Sequence, residues 1–315
     1  MERPSDSDNC VLPLILPKFI RKKALPYTPL PLPSKIGIER WLRGREECYR
    51  LEHADAVIVS YEKSGRTWLR VMLSCYYQRR YNLPEHRLLH YNKMHRLNAA
   101  VPVVLFTHDR YLPYYTGSQS SDYLHFADKP AILLARDPRD IAVSLYFHWL
   151  HRLTPHNKLL DNMPAHGREL SMYEFVMLPE SGLPAIIAFM NRWGLRRSNL
   201  PQLAIYRYED LRADTGKYLE QLLRALGERP SADEVAEIVA YADFDKMKQR
   251  EQNGEVHDTR LTPGDINNPD SYKVRRAKIG GYRDYFSAQQ IETIDSLVDA
   301  TLDPIFRYHS VPSGS

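Results

Sequence analysis

The sequence has little cysteine, no long apolar run and almost no excess of either charge. Three cysteines in 315 residues, Cys10, Cys48 and Cys75, are too few for a disulfide framework or a zinc site. This count predicts a reducing compartment, with the cytoplasm as the default location. No segment approaches the roughly 18 consecutive apolar residues that a membrane-spanning helix needs. The 43 Lys and Arg residues exceed the 39 Asp and Glu residues by only four, which does not favour a nucleic-acid partner.

The first 35 residues are rich in proline and are predicted to form an arm without regular structure. Within them, VLPLILPKFIRKK carries its positive charges after its apolar part, which is the reverse of a signal peptide. We expect this segment to pack on the protein as an extended arm. The alternative is a weak peripheral membrane contact through its basic residues, Lys18, Arg21, Lys22 and Lys23. Residues 36–315 are predicted to form one domain.

Apolar segments alternate with amphipathic ones along that domain. The predicted strands are DAVIVSY, VPVVLFTH, KPAILLAR and PQLAIYRY. Helical segments separate them, including one that begins with Asp137 as its N-cap and Pro138 in its first turn. This alternation predicts an α/β fold with a central parallel sheet flanked by helices. Residues 152–170 and 251–283 lack periodicity and are predicted to be lids or binding segments.

The stretch YEKSGRTW, residues 61–68, lies between a predicted strand and a predicted helix. Backbone N–H groups at the start of a helix present about half a positive charge, which suits an oxyanion. Gly65 allows close approach of a ligand, and Lys63 and Arg66 add positive charge. A nucleoside-triphosphate loop requires G-x-x-x-x-G-K-[ST], and this stretch does not match that spacing.

Five motifs resemble those of the cytosolic-type sulfotransferases, in the same order. YEKSGRTW resembles that family's 5′-phosphosulfate loop, Y-P-K-S-G-T-T-W, and LLARDPRDIAVSLYFH resembles its 3′-phosphate motif. YRYEDL, DFDKMK and RRAKIGGYRDYFS are similar to its tyrosine-bearing strand end, its F-x-x-M-K segment and its late R-K-G-K-x-G-D-W-K segment. The similarity spans about residues 54–287, which is most of the chain.

The resemblance implies a fold related to the P-loop nucleotide enzymes and a sulfuryl donor, 3′-phosphoadenosine 5′-phosphosulfate (PAPS), used without a metal. The donor-binding residues that it implies are Lys63, Ser64, Gly65, Arg66, Thr67, Trp68, Arg136, Ser144, Tyr208, Phe244, Arg275, Arg276 and Ala277. The loop and the arginines would hold phosphates at the two ends of the nucleoside. Trp68 and Phe244 would stack on its adenine.

The resemblance also implies the catalytic residues. His108 follows a predicted strand, at the edge of the sheet where open α/β folds bind ligands. It matches a Thr-His pair whose histidine acts as the base, and Lys63 would donate to the departing oxygen. Asp109 could orient the imidazole or act as the base itself. His148 and His151 have a spacing that could bind a metal, but nothing near them in the sequence completes a site.

Several residues depart from the family pattern. Glu62 replaces a proline, and Arg66 replaces a threonine. Phe106 stands where the family often has a lysine, so a cation is missing from its usual place before Thr107. We hypothesise that Arg66 compensates for it. Late in the chain, Ala277 replaces a glycine, and Gly281 with Tyr282 replaces Asp-Trp.

The acceptor is predicted to contact segments outside the donor motifs, namely residues 86–98, 109–123 and 152–170. They mix His, Arg and Asn with clustered tyrosines, which favours a sugar or another alcohol over an apolar phenol. A small molecule or a glycan fits this pattern. Two other functions stay open, an ATP-dependent small-molecule kinase and a catalytically idle nucleotide-binding protein that docks on a membrane or partner. Oligomeric state cannot be read from the sequence.

Overall fold

The computed structural model describes residues 19–85, 88–117, 125–253, 265, 268–272, 276 and 278–309. The strands are β1 (Ala56–Val59), β2 (Val104–Thr107), β3 (Ala131–Ala135) and β4 (Leu203–Arg207). The helices before β4 are α1 (Leu32–Glu52), α2 (Arg66–Arg80), α3 (Leu112–Thr116), α4 (Pro138–His151), α5 (Pro155–Leu160), α6 (Met172–Val176) and α7 (Leu183–Arg196). Those after it are α8 (Tyr208–Ala213), α9 (Thr215–Ala225), α10 (Ala232–Tyr241), α11 (Phe244–Asn253) and α12 (Ala288–Thr301).

The four strands form one parallel sheet in the order β2-β1-β3-β4. β1 and β3 are buried along their whole length, as expected for central strands that have helices on both faces. All four strands end at the same edge of the sheet, so the segments that follow them are neighbours. That edge gathers Ser60, His108, Arg136 and Tyr208, which come from four distant parts of the chain.

The predicted α/β fold with a central parallel sheet is therefore confirmed. Each of the four predicted strands contains one observed strand, because short runs of β-branched and aliphatic residues fit a parallel sheet that helices cover on both faces. The Asp137 side chain accepts a hydrogen bond from the backbone N–H of Arg139, which confirms it as the N-cap of α4. Ser287 forms a capping box with Gln290 at the start of α12.

The prediction of an irregular arm over residues 1–35 is wrong where the structure describes that segment. Residues Ile20–Ala24 form one π-helical turn, Leu25–Tyr27 form a 3₁₀ turn, and α1 begins at Leu32. Pro26 and Pro33 occupy first-turn positions, where a missing N–H costs no intrahelical hydrogen bond, and Pro31 is the N-cap of α1. The segment 152–170 likewise contains a helix, α5, which begins at Pro155 after the N-cap Thr154.

The basic residues of the N-terminal segment have different surroundings. Lys22 and Lys23 are exposed, whereas Arg21 donates to Glu46 of α1 at 2.6 Å, with both side chains about 10% exposed. Arg21 therefore fixes the segment to the domain instead of facing solvent. Lys18 lies outside the residues that the structure describes. In the described parts of the chain, no helix combines the length and the apolar character needed to cross a membrane.

Two apolar cores cover the two faces of the sheet. One packs α4, α7 and α12 against the sheet and is centred on Trp193 and Phe306; the other packs α2, α9 and α10 around Met72 and Leu219. The end of the chain is tied into the first core through Arg139 of α4. Its guanidinium donates to Asp295 of α12 at 2.6 Å and to the carbonyl of Tyr308 at 2.9 Å.

Candidate active site

The turn between β1 and α2 requires glycine at position 65. Its φ of +95° is in the left-handed region, and a Cβ there would lie 2.6 Å from a ring carbon of Tyr208. Lys63, two residues earlier, also has a positive φ, 69°. Trp68 and Leu69 donate their N–H groups to the Gly65 carbonyl, so the N–H groups that precede them in the turn have no partner within the helix. The result is a compact turn that opens a long helix.

Ser64 gives this turn a further polar group. Its side chain is 1% exposed, and its Oγ has no hydrogen-bond partner among the described residues. Buried hydroxyls without a partner are uncommon, because burial of an unmet polar group costs roughly 1–3 kcal/mol. The hydroxyl is therefore a polar group of the turn whose donor capacity is not used by the described residues.

Arg136 follows β3 and is held beside the same turn. Its Nη1 donates to the Lys63 carbonyl at 3.0 Å, its Nη2 lies 3.9 Å from Asp140, and its guanidinium lies 4.6 Å from the ring centroid of Tyr208. Its buried Nε has no hydrogen-bond partner among the residues described. Arg136 is thus a cation held in a fixed position, and its Nε–H is a donor that the described residues do not use.

An aromatic slot lies at the other side of the turn. Trp68 donates its Nε1 to the Ala242 carbonyl at 2.7 Å, which fixes the indole plane. The Arg212 guanidinium lies 5.8 Å from the Trp68 ring centroid and 5.4 Å from that of Phe244. The two rings therefore flank one region of the cleft, and planar surfaces of this kind suit a nucleobase.

Residues late in the chain close the cleft over α4. Arg276 donates to Asp284 at 2.6 Å, and Lys278 donates to the same carboxylate at 2.7 Å. The hydrogen bond from Lys278, followed by that from Arg276, lowers the pKa of Asp284. Ser144 of α4 also lines the cleft. Arg275 and Ala277, which the sequence analysis assigned to the donor, lie outside the described residues.

Asp140 of α4 shapes that closing segment. Its carboxylate accepts the backbone N–H groups of Gly280 at 2.8 Å and Tyr282 at 3.0 Å. Burial raises the pKa of Asp140, while Arg136 and these two N–H groups oppose the rise. Asp140 therefore fixes the backbone of the closing segment beside Arg136.

The cleft has an empty volume of about 1220 Å³, part of it open to solvent. Its basic lining residues in the described chain are Lys63, Arg66, Arg136, Arg212, Arg276 and Lys278. The carboxylates there are Glu62 and Asp140. Except for the two undescribed residues and buried Ser64, the predicted donor residues line this one cleft. The arrangement suits an elongated polyanion with an aromatic group.

His108 lies in the cleft with a defined tautomer. Its Nδ1 is 2.7 Å from the Ser60 carbonyl, and since a carbonyl only accepts, Nδ1 carries the hydrogen. Nε2 is then the acceptor nitrogen, and the Arg66 Nη2 donates to it at 2.6 Å. Glu62 Oε1 lies 4.0 Å from the same Nε2. The imidazole therefore presents a basic nitrogen to the cleft, with a cation and a carboxylate beside it.

Thr107 anchors the end of β2 below that histidine. Its Oγ1 donates to Glu47 of α1 and accepts the backbone N–H of Asp109 at 2.8 Å. Burial, with a smaller contribution from Asp109, raises the pKa of Glu47 to about 7. Glu47 could not be identified from the sequence, because it lies 60 residues before Thr107 and belongs to none of the recognised motifs.

Asp109 does not orient His108 and cannot act as the base. Its side chain is fully buried and accepts from Arg196 at 2.7 Å and from the Trp193 indole at 3.2 Å. A φ of 49° turns the carboxylate away from the cleft and into the core between β2 and α7. The two roles proposed for it from the sequence are therefore wrong.

A second polar group that the sequence did not reveal borders His108. Arg110 Nη2 lies 3.5 Å from Glu62, and its Nη1 lies 2.7 Å from Asp161. Tyr111 donates its hydroxyl hydrogen to the same Asp161 at 2.6 Å. Glu62, Arg110, Tyr111 and Asp161 form a connected set, which we call the Glu62 network. It joins the turn after β1 to the segments after β2 and α5.

One group outside the cleft has metal-ligand chemistry. Cys48, Glu52 and His125 place three ligand atoms within 4.8 Å of one another, and no other such trio is found in the described chain. The Cys48 thiol donates to Glu52 at 3.4 Å and lies 4.0 Å from His125 Nδ1, so these contacts also account for the cluster without an ion. His148 and His151 belong to no such trio among the described residues. The imidazole of His151 stacks on the ring of Phe147, with the two ring centroids 6.4 Å apart.

Comparison with known proteins gives a consistent family match. The family model described as "Sulfotransferase domain" matches residues 53–305. Sulfotransferase 2A1 of Mus musculus is 24% identical over 261 residues, which make up 78% of this chain and 84% of that protein. Sulfotransferase 1E1 of Cavia porcellus is 24% identical over 270 residues, 79% of this chain and 83% of its own.

Solved structures share the fold at lower identity. Mouse sulfotransferase SULT7A1, crystallised with PAP, has a TM-score of 0.54 and 20% identity, and the alignment covers 83% of this chain and 92% of that one. A retinol dehydratase complex with androsterone and the inactive cofactor PAP has a TM-score of 0.52 and 19% identity, covering 78% and 80%. At these identities the likeness establishes the common fold.

Proposed function

The chain belongs to the sulfotransferase domain family, and from that premise we propose that it transfers a sulfuryl group from PAPS to the hydroxyl of a carbohydrate or another alcohol. The observation that carries the proposal is the pairing of two anion-binding groups across one cleft. The β1–α2 turn is one of them, Ser144 with the segment around Arg276 is the other, and Arg136, whose Nη1 donates to the Lys63 carbonyl at 3.0 Å, adds its charge beside the turn. PAPS carries anionic groups at both ends of a nucleoside.

The residues present fit this substrate. The buried Ser64 hydroxyl and the Arg136 Nε have donor capacity that an oxyanion would meet. Trp68 and Phe244 flank a position for adenine, where stacking contributes about 1–3 kcal/mol. The excess of basic side chains compensates the charge of the donor and leaves its sulfuryl end near Lys63 and His108.

The transfer is an in-line displacement at sulfur. The acceptor oxygen attacks, a new S–O bond forms, and the bond from sulfur to the phosphate oxygen breaks. His108 Nε2 takes the proton of the attacking hydroxyl, and Lys63 donates to the departing oxygen as negative charge develops on it. The products are a sulfate monoester and 3′-phosphoadenosine 5′-phosphate (PAP), and the imidazolium then returns its proton to solvent. No residue in this scheme requires a metal.

The Glu62 network supports a hydroxyl-rich acceptor. It places carboxylate, guanidinium and phenol groups in a connected set that reaches the turn beside His108. Glu62, the member of the network that lines the cleft, offers carboxylate oxygens to the several hydroxyls of a sugar, whereas a flat apolar phenol has a single hydroxyl to donate. A small polyol or a glycan is therefore the proposed acceptor class.

The test begins with binding. Calorimetry and thermal shift with PAP, without metal, are expected to show binding and a raised melting temperature, whereas ATP with magnesium should not. Selective stabilisation by ATP with magnesium would favour the kinase alternative. Arg136→Ala should weaken PAP binding, and Arg224→Ala, which removes an exposed arginine that pairs with Glu220 on α9, serves as the matched control.

Turnover separates an enzyme from an idle binding protein. ³⁵S-labelled PAPS is offered with a panel of sugars, phenols and amines, and the labelled product is separated. Transfer to sugars or other alcohols supports the proposal. Binding of PAP without transfer to any of them would favour the idle alternative. Transfer only to phenols or amines would contradict the acceptor assignment while leaving the donor assignment intact.

A further inference from the structure

We propose that Arg66 is a catalytic residue that makes two successive contacts. In the donor-free protein it occupies Nε2 of His108, and in the donor complex it moves to the sulfuryl oxygens and leaves that nitrogen to the acceptor. This inference rests on the proposed function. It makes the base available only when the donor is in place.

The first contact follows from the geometry of His108. Nδ1 is committed to the Ser60 carbonyl, so Nε2 is the nitrogen that can accept a proton from a hydroxyl. The guanidinium of Arg66 donates to that same nitrogen at 2.6 Å. An acceptor hydroxyl and Arg66 cannot both occupy the single lone pair of Nε2. In this arrangement the base cannot act.

The contact is also incompatible with the product of proton transfer. Once Nε2 carries a proton it is no longer an acceptor, and the imidazolium and the guanidinium would be two like charges in hydrogen-bond contact. Such proximity disfavours the protonated imidazole. Arg66 must therefore leave Nε2 before the proton arrives.

The donor supplies a reason for Arg66 to move. Arg66 is the first residue of α2, directly after the turn that carries Lys63 and Gly65, where the phosphosulfate is proposed to bind. A charge-assisted hydrogen bond to an anionic oxygen is roughly twice as strong as one to a neutral acceptor such as imidazole. The donor thus attracts Arg66 to the group being transferred, where a cation offsets charge that develops during the displacement.

Neighbouring charges make Arg66 the residue suited to this role. Phe106 occupies the place of a cation before Thr107, and Arg70, one turn further along α2, is buried with its guanidinium 4.1 Å from the Phe106 ring centroid. Glu62 Oε1, at 4.0 Å from Nε2, faces the imidazolium that forms and is itself 3.5 Å from Arg110. Arg66 leaves, and Glu62 remains as the counter-ion.

During the transfer these groups act together without any further reactant. The acceptor oxygen forms its bond to sulfur, its proton passes to Nε2, and the electron pair of the broken S–O bond stays on the departing phosphate. Arg66 hydrogen-bonds to oxygens of the sulfuryl group throughout. After product release, loss of the proton from Nε2 allows Arg66 to return.

The first contact is tested without donor, by labelling histidines with diethyl pyrocarbonate and quantifying each peptide by mass spectrometry. Arg66→Ala should raise the labelling rate of His108 at least about fivefold, because Nε2 then loses the hydrogen bond from the guanidinium that occupies its lone pair. The exposed His53 and His156 provide internal standards. Arg212→Ala, which removes another arginine from the same cleft, should leave His108 labelling unchanged. Equal labelling of His108 in the wild type and Arg66→Ala would refute the contact.

The second contact is tested by turnover at saturating PAPS. Arg66→Ala should lower kcat by about 10²–10³-fold, as expected for loss of one charge-stabilising donor, and Arg66→Lys should recover part of that loss. Unchanged kcat in Arg66→Ala would overturn the catalytic role, and circular dichroism with melting temperatures identifies any variant that does not fold. Absence of turnover in the wild type would be a failure of the proposed function, and the labelling result still decides the contact with His108.

Discussion

Glu47 makes the stability of this protein depend on pH in a direction that can be calculated. Its carboxylate lies under the end of β2, accepts from Thr107, and is close enough to Asp109 for the two charges to repel. Burial is the larger cause of a pKa raised from 4.5 to about 7 in the folded protein. In the unfolded chain this carboxyl returns to its ordinary pKa.

The sign follows from proton linkage. Between the two pKa values the folded protein binds more protons than the unfolded chain, so stability falls as pH rises. The stabilisation is fully present below about pH 4.5 and is lost once the pH has passed about 7. A shift of this size corresponds to about 3 kcal/mol, at about 1.4 kcal/mol per pKa unit.

Glu47→Gln removes that titration while keeping the shape of the side chain. The difference in free energy of unfolding between the variant and the wild type is measured by urea denaturation at pH 5 and pH 8. Relative to the wild type, the variant's free energy of unfolding should be about 2–3 kcal/mol higher at pH 8 than at pH 5. At pH 8 the wild type must bury an ionised carboxylate, and the variant does not. Glu52→Gln, an exposed residue on the same helix, is the control. An identical difference at both pH values would refute the reasoning.

Three further outcomes follow from the site. Gly65→Ala should lower the free energy of unfolding by about 2–4 kcal/mol and abolish PAP binding in calorimetry. The added Cβ would lie 2.6 Å from a ring carbon of Tyr208, on a backbone with a φ of +95°. An affinity for PAP equal to that of the wild type would contradict this. Lys63→Ala should reduce kcat about 10²–10³-fold with little change in PAP affinity, whereas Arg136→Ala should mainly weaken PAP binding, and equal losses in both quantities would argue against the assigned roles. Asp109→Asn should destabilise the fold by about 3 kcal/mol, since it removes the counter-ion of a buried guanidinium, and an unchanged melting temperature would exclude that role.

The parts of the fold that could be predicted are those encoded by local patterns. Each strand is a short aliphatic run, and such a run has no stable place except inside a sheet covered on both faces. Asp137 and Ser287 mark helix starts because their side chains bond backbone groups only two or three residues away. Proline is the reason that residues 25–35 and the segment around Pro155 were predicted to be irregular. Its ring fits the first turn of a helix as well as it fits an irregular arm.

The candidate site was predictable where it is contained in continuous motifs. The β1–α2 turn needs its glycine for a backbone angle, and that need is visible in one short stretch of sequence. The environment of His108 is different, because Glu47 reaches the neighbouring Thr107, and Asp161 reaches Arg110, from separate segments through tertiary packing. Asp109 shows the same limit, since its neighbour in sequence faces the cleft while a positive φ directs its own side chain into the core.

The hydrogen bonds between α4 and residues 280–308 affect the order in which the protein can fold during synthesis. Asp140 organises the backbone at Gly280 and Tyr282, and Arg139 is bonded to Asp295 and to the carbonyl of Tyr308. A nascent chain on the ribosome can form the sheet and the glycine turn early, since both are complete once Arg207 has emerged. It cannot finish the far wall of the cleft until synthesis has passed Tyr308. Nucleotide capture therefore has to wait until Tyr308 has left the ribosome, and a chain interrupted before that residue would carry an incomplete cleft.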